Sequence, residues 1–361
     1  MSTVTSELTN TSGTNSGSII DTSRESLVGI IDTDKEDTDD VNEKRLKRDN
    51  TIVCDVILIS IPLRSPNKRK PLKNFCHEYC SILELVIKST IPDIKSFKLW
   101  QIILLLLFAT FNVIFSILDF NSFFQQRQRQ RSIFKWMNDL NDRVPLWRRI
   151  LLCFSGIASF TNVVNVVLVI KGKLSSYLWG IIAAILYGIY SFAYGYIGDA
   201  QLYFIFFLPM QFIGIYMWSK ELDSSSTTRV RSLSPIPWLV VLIISIGLAV
   251  LFYYEIPAFS NLLTLPYYHQ TVLVPHILDA TTNALSVVAQ FLLIFCYWEQ
   301  YVYWLAVNLM AIVMYSGLFQ TKLEINVLLV WVMLAINSFI GLYIWFMRWS
   351  KLRRIGHISM P

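Results

Sequence analysis

From residue 99 onward, long apolar runs alternate with short polar breaks. A helix that crosses about 30 Å of hydrocarbon needs about 20 mostly apolar residues. Eight segments meet or approach that length: 99–120, 148–170, 176–196, 202–219, 236–254, 275–296, 302–318 and 326–347. Within each, the apolar positions are continuous instead of alternating with polar ones, which predicts helices and excludes barrel strands. Several connections are hairpin-short, among them Lys171–Ser175 and Gly198–Gln201. The expected fold class is an all-α membrane protein.

Residues 1–98 follow another pattern and read as a mostly disordered polar tail. Residues 1–50 are rich in Ser, Thr, Asp and Asn, with an acidic run from Asp32 to Asp40. They bury too little apolar surface to offset the entropy of ordering. Ile52–Pro62 is apolar but too short to span a bilayer, and the basic run Arg64–Lys73 reads as a solvated linker, with anionic lipid or a partner as the other reading.

Composition sharpens the division. Of 361 residues, 54% are hydrophobic and 16% charged, against about 25% charged in soluble domains. Residues 1–98 hold 14 basic and 15 acidic side chains, whereas residues 150–347 hold only 13 charges. The formal net charge of +6 comes from the ends of apolar runs, in 127–149 and 348–354. Basic residues at such places fix orientation or touch lipid headgroups, so membrane lipid is the expected partner and nucleic acid is not. The cysteines Cys54, Cys76, Cys80, Cys153 and Cys296 make no disulfide framework or paired zinc pattern. No GxSxG, HExxH or close carboxylate pair lies within the spans, and His77, His269, His276 and His357 are scattered. No enzyme, metal or cofactor is expected.

Eight spans place both termini on one side, together with Lys171, Lys173, Lys220, Arg229, Arg231 and the basic tail Arg348–Arg354. That side is expected to be cytoplasmic. The opposite loops 197–201 and 255–274 carry no Lys or Arg, but loop 121–149 holds seven basic residues on the same predicted outer side. Either 99–120 does not fully cross, or those charges lie on an amphipathic stretch at a headgroup layer.

An internal repeat organises the rest. Phe212-Ile213-Gly214-Ile215-Tyr216-Met217-Trp218 returns as Phe339-Ile340-Gly341-Leu342-Tyr343-Ile344-Trp345, with five of seven positions identical at an offset of 127. At an offset of 125, Trp179 falls on Trp304 and Asn165 on Gln290. Two three-helix copies, 148–219 and 275–347, can share one orientation only if an odd number of crossings joins them, and 236–254 supplies one. The expected architecture is therefore 3+1+3, preceded by a hydrophobic helix and basic loop in 99–147 and followed by a basic tail in 348–361. Transporter sites in such parallel repeats lie near midplane between the bundles.

Between residues 150 and 347 the spans contain no interior Lys or Arg, but they hold Asn162, Asn165, Gln211, Asp279, Asn283, Gln290, Asn308 and Asn337. Buried amides need partners, either other helices or a ligand. Asp279 stands out because an intramembrane carboxylate is costly and usually functional; a structural helix-end role and proton coupling are both open. A phosphorylated solute would call for Arg or Lys. Aromatics (Trp179, Tyr187, Tyr216, Trp304, Tyr315, Trp331) beside amides instead suit a flat, neutral or cationic ring bearing hydroxyls.

Several motifs, in order, resemble the PnuC family of vitamin transporters. They are Val169-Ile170-Lys171-Gly172-Lys173 before Trp179-Gly180, Gly198-Asp199, and Phe206-Phe207-Leu208-Pro209-Met210-Gln211-Phe212-Ile213-Gly214 ending at Trp218. In the second half they are Asp279 opening a helix, Glu299-Gln300, and Trp304-Leu305-Ala306-Val307-Asn308. The resemblance covers about 148–347. It implies a nicotinamide riboside carrier, with relatives for thiamine or riboflavin, built like a SWEET sugar transporter and working by facilitated diffusion, and a homo-oligomer (trimer).

By that resemblance Trp304 stacks the ring while Gln211 and Asn308 are the main polar contacts, with Trp331, Asn337, Gln290 and Asp279 as further substrate-binding candidates. The chain departs from the family pattern at Phe204, Ile215 and Leu305, which bears on which flat vitamin is carried. A SWEET-like sugar carrier and a non-transporting receptor or scaffold remain the alternatives.

Overall fold

The computed structural model describes residues 72–118, 145–222, 228–265, 272–319, 321 and 323–358. The Asp32–Asp40 run, Ile52–Pro62, most of the basic run Arg64–Lys73 and residues 119–144 of the basic loop lie outside the described residues.

Nine helices are present among the described residues: α1 (Leu72–Lys95), α2 (Leu99–Leu118), α3 (Leu146–Lys171), α4 (Ser176–Tyr194), α5 (Ile197–Lys220), α6 (Pro235–Leu262), α7 (Leu273–Ile294), α8 (Gln300–Tyr315) and α9 (Ile325–Ile358). All except α1, α8 and α9 coincide with runs that are long and apolar enough to cross a membrane; in α9 that run is Val327–Arg354, and α8 is a shorter apolar helix. Helix α2 meets the criterion as well as any of them.

Three expectations need correction. Residues 72–95 are not part of a polar tail but form α1. Ile82, Leu83 and Val86 recur at helical spacing and lie against Tyr177, Trp218 and Trp345. The helix is also latched by polar contacts, since Tyr79 donates to the Phe212 carbonyl at 3.1 Å and buried Asp93 accepts the Ser175 hydroxyl at 2.6 Å. The C-terminal tail is likewise helical, with α9 continuing as far as Ile358. Finally, 197–201 is no surface loop: all five residues are buried and form the first turn of α5.

Helix α5 is not regular throughout. Leu202–Phe207 winds as a π-helix directly before Pro209. Proline has no N–H for the carbonyl four residues back and collides with it, and a wider turn relieves that conflict.

Helices α3, α4 and α5 pack in succession, as do α7, α8 and α9, and α6 packs on α7. The two trios carry matching contacts. Helix α3 ends at Gly172 with φ 72°, where Gly172 N–H bonds Val169 O at 2.8 Å and Lys173 N–H bonds Leu168 O at 3.0 Å. This pair of bonds is the helix stop that needs a left-handed residue. Helix α7 ends the same way at Cys296, φ 63°, with Cys296 N–H on Leu293 O at 3.0 Å and Tyr297 N–H on Leu292 O at 2.9 Å. Gly214 and Gly341 each let a tyrosine approach the backbone closely: a Cβ would strike Tyr177 Cε1 in one case and Tyr301 Cε1 in the other. Each tyrosine meets the tryptophan of its own half edge-on, Tyr177 on Trp218 and Tyr301 on Trp345.

The trios are tied crosswise. Trp218 Nε1 donates to Leu293 O at 3.0 Å, and Trp345 Nε1 donates to Ile170 O at 3.1 Å. Each indole thus bonds one of the last carbonyls of the opposite trio's first helix, Ile170 O in one case and in the other Leu293 O, which also accepts Cys296 N–H. The segment leading into α6 is stitched to both helix stops, by Thr228 N–H to Gly172 O at 3.3 Å and Arg231 N–H to Cys296 O at 2.9 Å. Glu299 secures it: one carboxylate oxygen accepts the Ser232 hydroxyl and the Leu233 N–H, both at 2.7 Å.

Burial pushes the Glu299 carboxyl up from its ordinary value, and the Ser232 hydroxyl and Leu233 N–H pull it partly back. An acid raised in this way favours the folded state below its unfolded pKa, and the advantage fades as pH rises through the folded value. Glu299→Gln keeps the accepting oxygen without the charge, so it should unfold in detergent at least as high as wild type at pH 7 and with a flatter pH dependence. Glu299→Ala strands both donors and should cost about 1–3 kcal/mol, read by the same thermal melts.

Candidate substrate cavity

Between the two trios lies a partly open cavity with room for about 90 Å³ of water-sized centres. Helices α3, α4, α5, α7, α8 and α9 all contribute side chains to its wall, and α1, α2 and α6 contribute none.

Six of the seven side chains expected at a binding site line it: Trp304, Asn308, Gln211, Trp331, Asn337 and Gln290. Trp304 and Asn308 are one helical turn apart on α8. The Trp304 ring lies 6.1 Å from that of Phe207, leaving an aromatic corner, and Asn308 Nδ2 donates to Ser338 Oγ on α9 at 2.8 Å. Gln211 reaches across to Gly180 on α4, where any Cβ would strike its side-chain oxygen. Asn337 is partly committed, because its Nδ2 donates to Met333 O of its own helix at 3.0 Å.

The seventh, Asp279, does not line the cavity. It is buried against the start of α5, where a Cβ on Gly198 would stand 2.8 Å from both of its carboxylate oxygens. Its Oδ1 accepts Asn283 Nδ2 at 3.1 Å. Asp279, nearly two turns into α7, thus packs against the first turn of α5.

Trp179 departs from its expected place. It packs with Phe97, Val164 and Leu168 and meets Phe160 edge-on, away from the cavity. The helix stops at Gly172 and Cys296 are 124 residues apart, as are Tyr177 and Tyr301, so the second helices correspond at 124 and not 125. The counterpart of Trp304 is Gly180, and both line the cavity. Tyr216 also points elsewhere, lying under the Lys220 ammonium.

Sequence reasoning missed two features of the wall. Asp199, expected on a connecting loop, lines the cavity from the first turn of α5. Its Oδ2 accepts the hydroxyls of Tyr187 at 3.3 Å and Tyr315 at 3.4 Å. The Gly198-Asp199 pair was visible, but not that this turn is buried. Ser338 also joins the wall, 127 residues after Gln211 and so at the repeat offset.

Several buried polar atoms on the wall have no partner in the protein: Gln290 Nε2, Asn283 Oδ1, Trp331 Nε1 and the Tyr301 hydroxyl. Such groups are costly to leave unbonded in an apolar interior. Together they offer donors and an acceptor to a solute. No Lys or Arg is among the lining residues.

A polytopic helical membrane protein with an amide-and-aromatic cavity between its helices belongs among the carriers. Residues 152–347 match the family described as "Nicotinamide mononucleotide transporter", and the chain belongs to that family. It is a multi-pass membrane transporter. The nicotinamide riboside transporter PnuC of Neisseria mucosa is 30% identical over 206 residues, covering 55% of this chain and 72% of that one. The protein of the same name from Haemophilus influenzae is 27% identical over 192 residues, covering 52% of this chain and 77% of its own. A crystal structure of the vitamin B3 transporter PnuC shares the fold, with a TM-score of 0.50, 24% identity, and coverage of 71% of this chain and 94% of that chain.

Gly180→Ala tests the wall. The new methyl displaces the Gln211 amide, an overpacking that costs about 1–3 kcal/mol. Half-saturation of uptake should rise about tenfold, with membrane insertion unchanged on fractionation.

Proposed function

We propose that this protein carries nicotinamide riboside across the membrane by facilitated diffusion, exposing the cavity alternately to either side. The observation that carries the reading is the chemistry of the wall: aromatic rings and amides, with unpartnered donors and no lining Lys or Arg. Nicotinamide riboside is a flat pyridinium ring with a carboxamide and ribose hydroxyls. Rings stack on indole, a cationic ring gains a further attraction of about 0.5–2 kcal/mol, and amides bond hydroxyls. The family description names the mononucleotide, whose phosphate asks for Arg or Lys; the wall favours the riboside, the solute named for the relatives from Neisseria mucosa and Haemophilus influenzae.

The architecture in this reading is 3+1+3, two parallel trios joined by α6, as in SWEET carriers. The paired helix stops, the paired tyrosine–glycine contacts and the crossed indole bonds support it. We place the C-terminus in the cytoplasm. Basic residues gather at one end of the bundle, where Arg348 Nη2 donates to Lys171 O at 3.4 Å and Arg231 pairs with Glu221 at 2.7 Å. Positive charge favours that side.

Labelled nicotinamide riboside entering proteoliposomes tests the whole. Trp304→Ala and Asn308→Ala should each lower uptake at least about tenfold, the effect of losing about 1.4 kcal/mol of binding. Trp179→Ala, outside the cavity, should leave it near wild type. An excess of glucose should not compete, as it would with a sugar carrier, and empty vesicles should show no flux. Wild-type uptake by both cavity variants would refute the assignment.

A further inference from the structure

One lining residue carries a formal negative charge, and it is Asp199. It is buried at the start of α5 and held from both trios, by the hydroxyl of Tyr187 on α4 and that of Tyr315 at the end of α8. These bonds, at 3.3 and 3.4 Å, are long for O–H···O⁻ contacts, which run about 2.5–2.7 Å. Among the described residues no Lys or Arg pairs with it. The protein therefore aims a carboxylate at the cavity and supplies no counter-ion, an arrangement that is costly unless a cation arrives with the solute.

We infer that Asp199 is the countercharge for the substrate's ring, and that it makes the site choose a pyridinium nucleoside over an uncharged ring of the same outline. This deepens the carrier reading above and rests on it. Stacking on Trp304 also favours the charged ring, but only by the cation–π increment. A carboxylate in a water-poor cavity discriminates strongly, since Coulomb attraction there is little screened. Tyr187 and Tyr315 orient the carboxylate, and because one stands in each trio, the charge stays shared between them.

The test compares nicotinamide riboside with its reduced, uncharged dihydro form in proteoliposomes. Wild type should take up the charged form at least about tenfold better at equal concentration. Asp199→Asn keeps an oxygen for the two tyrosine hydroxyls and removes the charge. It should cut the ratio several-fold, to no more than the cation–π preference, by lowering uptake of the charged form far more than that of the reduced form. A purely structural Asp199 would lower both equally and leave the ratio unchanged; that result overturns the inference. If the variant fails to insert, wild type alone still decides, because equal uptake of the two forms by wild type also overturns it. Absence of uptake of either form by wild type would instead strike the carrier reading itself.

Discussion

The fold depends on how helix ends are satisfied where water is scarce. A helix leaves its last carbonyls without partners, and in an apolar setting each is costly. Here α3 and α7 both stop inside the bundle, at Gly172 and Cys296, and each is answered by an indole from the opposite trio. The two tryptophan rings sit 6.1 Å apart, so one compact cluster closes both helix ends at once. The glycines at 214 and 341 follow from this, because only a bare backbone lets the tyrosines support those indoles. So does the cavity, which occupies the space between trios held together at that end.

The two walls are related in backbone but not in side chains. Where the first trio has Gly180 with Gln211, the second has Trp304 with Ser338. Bulk and hydrogen-bonding capacity have traded places across the cavity. One side presents a ring face and the other an amide.

Much of this was legible in the amino-acid sequence because the bilayer imposes length and continuity on apolar runs. Helices α2–α7 and α9 follow from counting apolar residues, although the expected span 302–318 is the shorter helix Gln300–Tyr315. Six of the seven residues named by the family resemblance line the cavity. Of the sequence matches, Gly214 and Gly341 meet like contacts with Tyr177 and Tyr301, whereas Trp179 and Trp304, paired at an offset of 125, differ in surroundings. A one-residue slip turns a helix by about 100°, enough to move an indole from a cavity to an outer face. Asp199 was misplaced for a related reason. A Gly-Asp pair after a tyrosine-rich run has the composition of a loop, and only packing shows that the turn is buried. The docking of α1 depends on contacts more than 80 residues away along the chain, such as Asp93 with Ser175, which local periodicity cannot reveal.

Cys296 holds the left-handed stop that its counterpart Gly172 takes without strain, and the side chain is wholly enclosed there. Burial pushes its thiol up to about 12, so the reactive thiolate is withheld at neutral pH. Maleimide reagents applied to the intact carrier will thus pass it by, while Cys80 stands open and Cys153 is partly accessible. Spectroscopic labels can be introduced elsewhere without first mutating the cysteine that closes α7.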